Sequence, residues 1–293
     1  MKARILLALV VVASFGKVEG QTRDSLNVVI SHIFFCIDSV TYKNLFNHDF
    51  IAKTFAYCSQ SSNKTTTDSW TGKYLMGRRS YIEVFAANDK KAHPELGDKF
   101  GDASIVFRTK KSGDIQKIDA RIKIENRDTL ELMKYESDGK FIPFNYNLYL
   151  SDSALQETFR PYVEEFTSDF LKLVGFSESE INAGITQEQL GEKRRGKKYD
   201  KLYDNIEKIE LALTHEEFEY LAKTLDYLGF SQTGNRFTNG ELEIICSIQQ
   251  NRRYKLKAIY FSLLSNTEDT KIDVSKHLTF KARGTKASFE FNY

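Results

Sequence analysis

Between Val28 and Ile37 the chain reads Val-Val-Ile-Ser-His-Ile-Phe-Phe-Cys-Ile, an apolar run broken only by Ser31 and His32. With a period of two, Val29, Ile33, Phe35 and Ile37 make one apolar face of a strand, and His32 falls on the other with Ile30, Phe34 and Cys36. The spacing of Tyr42, Leu45, Phe46, Phe50 and Ile51 predicts a helix over Thr41–Tyr57. A polar loop over Ser59–Ser69 follows, with a short strand at Lys64–Asp68. Trp70–Met76 is the next strand, then a turn at Gly77-Arg78, then the strand Ser80–Phe85 that carries Glu83. The order strand, helix, strand, strand, strand is complete by Ala86.

A second unit starts at Gly101, where Ala103, Ile105 and Phe107 repeat the alternation of Ile33, Phe35 and Ile37. In that register Asp102 falls where His32 falls in the first unit. Ile115–Ile124 reads as a weak helix, and Asp128–Tyr135 and Lys140–Leu150 as strands. Tyr162, Phe166, Phe170 and Leu173 are spaced to bury one side of a helix over Ser153–Val174, which Pro161 kinks or starts. Glu178–Asp200 is polar and interrupted by glycines, and is the best boundary in the chain. Beyond it Ile206–Leu213 is a strand, and Thr214 with Glu217 forms a capping box for a helix burying Phe218, Leu221, Leu225 and Leu228. Strands follow at Ser231–Thr238, Glu241–Ile248, Tyr254–Leu264, Leu278–Arg283 and Ala287–Tyr293. The same grammar thus occurs about three times, and 204–293 forms a third unit.

The N-terminus changes the picture of location. Met1-Lys2-Ala3-Arg4 is a basic start, Ile5–Phe15 an apolar stretch too short to span a bilayer, and Val18-Glu19-Gly20 suits cleavage before Gln21. We expect a signal peptide over 1–20 and a secreted or periplasmic protein, without a membrane span in the mature chain. Removing it takes three of the 42 basic and one of the 40 acidic residues, leaving 39 of each. A neutral chain offers no overall field for nucleic acid. The basic run Lys193–Lys198 reads as a solvated linker. Cys36, Cys58 and Cys246 are too few and too scattered for a disulfide framework or a zinc cluster, though one pair could bridge.

The chemistry-bearing candidates are His32 and Glu83. His32 is either a metal ligand or a hydrogen-bonded strand histidine within a cavity. Glu83, expensive to bury alone, needs a metal, solvent or a cation, and Arg78, Arg79 and Arg108 are the cationic candidates. Asp102 is a ligand or the cap of a turn beside Gly101. Trp70, Tyr74 and Tyr81 line a ligand pocket or pack in the core. No phosphate loop, GxSxG elbow or nucleophilic triad is present in the sequence.

On Ser31–Asp38, Tyr81-Ile82-Glu83-Val84-Phe85, Gly101–Ile105 and Leu228-Gly229-Phe230, the chain resembles the vicinal-oxygen-chelate superfamily of glyoxalases, bleomycin-resistance proteins and extradiol dioxygenases. More narrowly, through Ser69-Trp70-Thr71-Gly72-Lys73-Tyr74-Leu75-Met76-Gly77, it resembles an uncharacterised family of exported bacterial glyoxalase-like proteins. The resemblance implies an α+β fold in which paired βαβββ modules, about 28–86 and 101–150, make a cupped mixed sheet over residues 26–150. A helical linker over 151–203 and the C-terminal unit 204–293 complete it. It also implies a divalent metal (Zn, Ni, Mn or Fe) on His32 and Glu83 with Asp102, Glu83 as the catalytic proton carrier, and Trp70, Tyr74, Tyr81 and Arg108 around a small-molecule ligand. The fourth metal position would fall in Ile142–Tyr149. Three functions are open: lyase, isomerase or dioxygenase chemistry on vicinal oxygens; metal-free binding or sequestration of a small molecule; or a structural or interaction module whose third unit packs on the first pair or mediates a homodimer.

Overall fold

The computed structural model describes residues 28–64, 69–87, 99–123, 128–137, 139–150, 159–250 and 253–293. The signal peptide expected over 1–20 lies outside them, as does most of the short strand expected at Lys64–Asp68. The first unit is β1 (Val28–Ile37), α1 (Ser39–Asn47), a π-helical turn at Phe50–Phe55, β2 (Tyr57–Lys64), β3 (Ser69–Met76) and β4 (Tyr81–Ala86). The long helix expected over Thr41–Tyr57 is therefore two pieces, broken at His48, whose backbone is extended. Asp38 caps α1, its carboxylate accepting from the backbone N–H groups of Val40 and Thr41.

The second unit is β5 (Ala103–Thr109), α2 (Asp114–Lys123), β6 (Asp128–Ser137), β7 (Lys140–Leu150) and β8 (Tyr162–Phe166). These eight strands form one curled mixed sheet in the order β2-β3-β4-β1-β5-β8-β7-β6. Each half reads strand, helix, strand, strand, strand, and each places its last strand parallel beside its first. β1 and β5 pair antiparallel at the middle, so the halves are related by an approximate two-fold axis. Here the structure corrects the sequence reading. Tyr162–Phe166, expected inside a helix, is the closing strand of the second module, which extends past residue 150. Only α3 (Ser168–Val174) of that helix exists among the described residues. The polar stretch after it forms α4 (Glu178–Ala183) and α5 (Gln187–Arg195), each with a capping box.

The C-terminal unit is β9 (Tyr203–Leu213), α6 (His215–Tyr227), β10 (Ser231–Thr233), β11 (Arg236–Thr238), β12 (Glu243–Ile248), β13 (Leu256–Asp273) and β14 (Leu278–Phe291), in the sheet order β10-β11-β12-β9-β13-β14. The Thr214–Glu217 capping box forms as expected. The last two expected strands are one, running through Gly284, and Ser231–Thr238 is a hairpin of two short strands.

One apolar core joins both sheets. It takes Ile33, Phe35 and Ile37 from β1, Ile105 and Phe107 from β5, and Ile209, Phe261, Phe280 and Phe289 from the second sheet. Phe55 lies stacked on Tyr203, with ring centroids 5.2 Å apart, and meets Phe261, Phe280 and Phe289 edge-on. The first sheet thus covers its convex side and leaves its concave side as a cup. Cys36, Cys58 and Cys246 are all free thiols.

Gly101 sits where the sheets meet. Its φ is +94°, and a Cβ there would come 2.7 Å from the backbone oxygen of Arg253. We expect Gly101→Ala to lower stability by about 2 kcal/mol or more, through both the left-handed backbone and the clash. Urea unfolding measures it, and an unchanged midpoint would show that this junction is not tightly held.

Candidate functional site

β1 departs from simple alternation at one residue. Ile30 pairs with Phe107 and His32 with Val106, which leaves Ser31 as an extra residue, a β-bulge. Val28 and Ile30 consequently join Ile33, Phe35 and Ile37 in the core, although alternation put Ile30 on the His32 face. Ser31 and His32 are then consecutive residues that both serve the concave side. His32 lines the cavity, and the Ser31 hydroxyl donates to Glu164 at 2.5 Å.

The cavity in the cup has a volume of about 470 Å³, within the range of small-molecule sites. His32 and Glu83 both line it, as do Trp70, Tyr74 and Tyr81. All are thus brought together as the sequence suggested. His32 is buried and lies ring-on-ring against Tyr81, centroids 4.3 Å apart. Glu83 is 7% exposed, and its Oε1 accepts from the Tyr74 hydroxyl at 2.6 Å and the Trp70 indole N–H at 3.1 Å. Gly72 makes room for this: a Cβ there would lie 2.7 Å from Glu83 Oε1 and 3.1 Å from the Tyr74 hydroxyl. None of Arg78, Arg79 and Arg108 forms an ion pair with Glu83; Arg78 and Arg79 hold Asp204 instead.

Sequence reasoning missed Glu164. Tyr162-Val163-Glu164-Glu165-Phe166 is a close copy of Tyr81-Ile82-Glu83-Val84-Phe85, and the structure puts the two in equivalent places. Tyr81 pairs with His32 and Glu83 with Phe34. Across the approximate two-fold, Tyr162 pairs with Val106 and Glu164 with Arg108. The fourth position is therefore Glu164, not a residue of Ile142–Tyr149. The signal was in the sequence, but Pro161 and the spacing of Tyr162, Phe166 and Phe170 made the segment read as helix.

Glu164 is 4% exposed and accepts from Ser31 and, at 3.4 Å, from the Asn145 amide. Its Oε1 is 4.0 Å from His32 Nδ1, with the Ser31 hydroxyl 3.2 Å from that nitrogen. Burial raises the Glu164 carboxyl above its ordinary range, against the pull of Ser31, Arg108 and Asn145. Burial likewise lifts the hydroxyls of Tyr74, Tyr81 and Tyr162, so each remains a proton donor at neutral pH. Cys58, also lining the cavity, is pushed up to about 11 by burial and stays a thiol.

Two expected residues stand elsewhere. Asp102 is not among the cavity residues; Arg253 donates to its carboxylate at 2.5 Å, and burial pushes it up to about 7. The register equivalent of His32 is Val106, four residues further along, so the alignment on Gly101 was out of step. Arg108 is buried behind the cavity wall, donating to the Gln187 side chain at 2.7 Å and lying over Phe166.

Whether these residues suit a divalent metal can be judged from the donors. The positions on β1, β4, β5 and β8 are His32, Glu83, Val106 and Glu164. Val106 has no donor atom, Glu83 Oε1 is occupied by Tyr74 and Trp70, and Glu164 Oε1 by Ser31. Among the described residues no three His, Cys, Asp or Glu side chains are grouped so that they could hold a metal ion. The set does not fit a divalent metal.

A family model described as "Family of unknown function (DUF5829)" matches residues 30–291. The chain belongs to that family. No curated protein matches it. One similar solved structure is a xylose isomerase-like TIM barrel/4-hydroxyphenylpyruvate dioxygenase fusion protein, 11% identical with a TM-score of 0.40. The alignment covers 76% of this chain and 33% of that one. A likeness this loose carries no functional argument.

Two outcomes follow for the DUF5829 site. A carboxyl raised in the fold contributes stability that is full below its unfolded pKa and lost as pH rises through the folded value. Wild type should therefore lose stability relative to Glu164→Gln as pH rises above the ordinary carboxylate range, measured by urea unfolding as a function of pH. A pH-independent difference would mean that Glu164 ionises normally. Gly72→Ala should displace Glu83 from Trp70 and Tyr74. Because Trp70 is the sole tryptophan, a shift of its emission with a stability loss of about 1–3 kcal/mol reports the displacement, and an unchanged spectrum would contradict the close approach.

Proposed function

We propose that this DUF5829 protein binds a small oxygen-bearing molecule in its cup and transfers a proton on it without a resident metal. The observation that carries this is the pairing of Glu83 and Glu164, one from each module, in one cavity with His32. The two carboxylates have different surroundings. Glu83 receives two neutral donors, while burial favours the protonated form of Glu164. Groups whose environments separate their protonation states suit an acid and a base. Glu164, in contact with His32 through Ser31, supplies the proton, and Glu83 accepts one. Tyr81 and Tyr162, kept as phenols, offer hydrogen bonds to ligand oxygens.

The paired-module cup supports a place in the vicinal-oxygen-chelate superfamily, whose members include metal-free binders as well as metalloenzymes. The basic and apolar start of the chain supports export, with cleavage near Gly20; a mature N-terminus at Gln21 would be its signature.

The test is titration of purified protein with small hydroxy and carbonyl compounds, followed by Trp70 emission. We expect saturable changes for at least one class and, for any compound turned over, a loss of about 10²–10⁴-fold in rate with Glu164→Gln or Glu83→Gln. Silence across the panel would remove the proposal. Elemental analysis separates the metal reading: a stoichiometric divalent ion lost in both His32→Ala and Glu83→Ala would replace proton transfer by the protein alone with metal chemistry.

A further inference from the structure

The cavity wall carries more positive than negative charge. Its acidic residues are Glu83 and Glu164, and its basic ones, apart from His32, are Arg160, Arg194 and Arg195. Both carboxylates are already engaged by donors of the protein. The arginines are not matched by acids: among the described residues none of the three forms an ion pair or donates a side-chain hydrogen bond.

Two of these arginines are built into the wall. The Arg160 guanidinium carbon lies over Tyr149, 3.7 Å from the ring centroid, and its backbone oxygen is held by the Ser104 hydroxyl. The Arg195 guanidinium lies over Tyr57 at 4.9 Å and Tyr199 at 5.5 Å. It folds back along α5 over Gly191, where a Cβ would come within 2.6 Å of its NH1. A glycine in the middle of a helix weakens it, and here it leaves the space that Arg195 fills. Stacking on tyrosine fixes a guanidinium plane while leaving its N–H edge for acceptors. In each residue Nε is buried and has no acceptor among the described residues. With no carboxylate of the described residues paired to either guanidinium, an anion entering the cavity can supply the missing counter-charge.

We infer that the natural ligand of this cup is an aromatic or conjugated acid. Its flat body packs among the tyrosines and Trp70, and its carboxylate is held by Arg160 or Arg195. A guanidinium matches a carboxylate with two parallel hydrogen bonds, which an uncharged carbonyl cannot equal. This rests on the cup being the ligand site, as proposed above, and adds the charge of what enters it. The basic run containing Arg194 and Arg195, expected to be a solvated linker, thereby gains a role as part of the ligand's wall.

The experiment compares matched pairs, benzoate with benzamide and cinnamate with cinnamamide, by isothermal titration at low salt. The protein is full-length mature wild type, Arg160→Gln, Arg195→Gln, the double variant, and the Lys substitutions at both sites. We expect the acids to bind at least about tenfold more tightly than the amides, a difference typical of a charge-assisted hydrogen bond. The preference should fall to within about threefold in the double Gln variant and return in part with Lys. Thermal unfolding verifies that the variants are folded, and the amides serve as an internal control for an intact cup. Amides binding as well as the acids, or a preference that survives the double Gln variant, would overturn the inference while leaving the cup as a binding site. No binding of either member of any pair would overturn both.

Discussion

A carboxylate cannot be carried into the concave face of a sheet without donors to replace the water it loses. This chain does so twice, once on the closing strand of each module, and much of its architecture follows. On the first side the donors are a phenol and an indole. They reach Glu83 because the β3 residue beside them is glycine, whose missing side chain is the space the carboxylate occupies. On the second side the donors are a hydroxyl and an amide, and the hydroxyl is available only because β1 bulges at Ser31. The halves share a topology and a Tyr-aliphatic-Glu motif but solve the same electrostatic problem differently. One carboxylate meets two donors on one oxygen, and the other meets a hydroxyl on one oxygen and an amide on the other, with Arg108 behind the wall as counter-charge. That difference, more than the shared topology, makes the site chemically asymmetric.

The bulge also fixes the position of His32. In a regular strand a histidine between Ser31 and Ile33 would face away from both, and Ile30 would lie on its side. The extra residue returns Val28 and Ile30 to the core and leaves two successive polar residues for the cup. With Tyr81 stacked on one side and Ser31 against Nδ1, the imidazole has a defined orientation. Such an arrangement suits proton movement better than coordination, because the neighbouring carboxylate is reached through a hydroxyl and not directly.

What was legible in the sequence divides along physical lines. Local alternation was enough to find β1, β3, β4 and β5, and the capping box was enough to start α6. His32, Glu83, Trp70, Tyr74 and Tyr81 were recognisable because polar or aromatic residues stood out against apolar strands. What failed was register between distant segments. Asp102 was matched to His32 by counting from Gly101, which cannot detect that the two strands meet at Val106. Glu164 was hidden because Tyr162, Phe166 and Phe170 satisfy helical spacing, although only Phe170 lies in a helix. Comparing Tyr162–Phe166 directly with Tyr81–Phe85 would have recovered it. The contribution of α5 was not legible, since nothing local distinguishes a basic helix that covers a cavity from one that faces water.

The third unit shows why the cup belongs to the first two modules alone. β9, α6, β10, β11 and β12 repeat the module order, and β13 takes the place beside β9 that β5 takes beside β1. The copy then ends differently, because β14 returns antiparallel along β13 as a hairpin where a parallel strand closes the second module. Its polar face carries opposite charges in contact, Lys208 with Glu210 and Lys281 with Glu290, whose net contribution at a partly exposed surface is small. Its apolar face does more. Ile209, Phe261, Phe280 and Phe289 complete the core that Ile33, Phe35 and Phe55 begin, so the central strands β1 and β5 of the cupped sheet are buried on their convex side. A sheet buried in that way on one side can spend its other side on polar groups. The third unit thus supports the site from behind, which explains how its strand grammar survives without the residues of the cup.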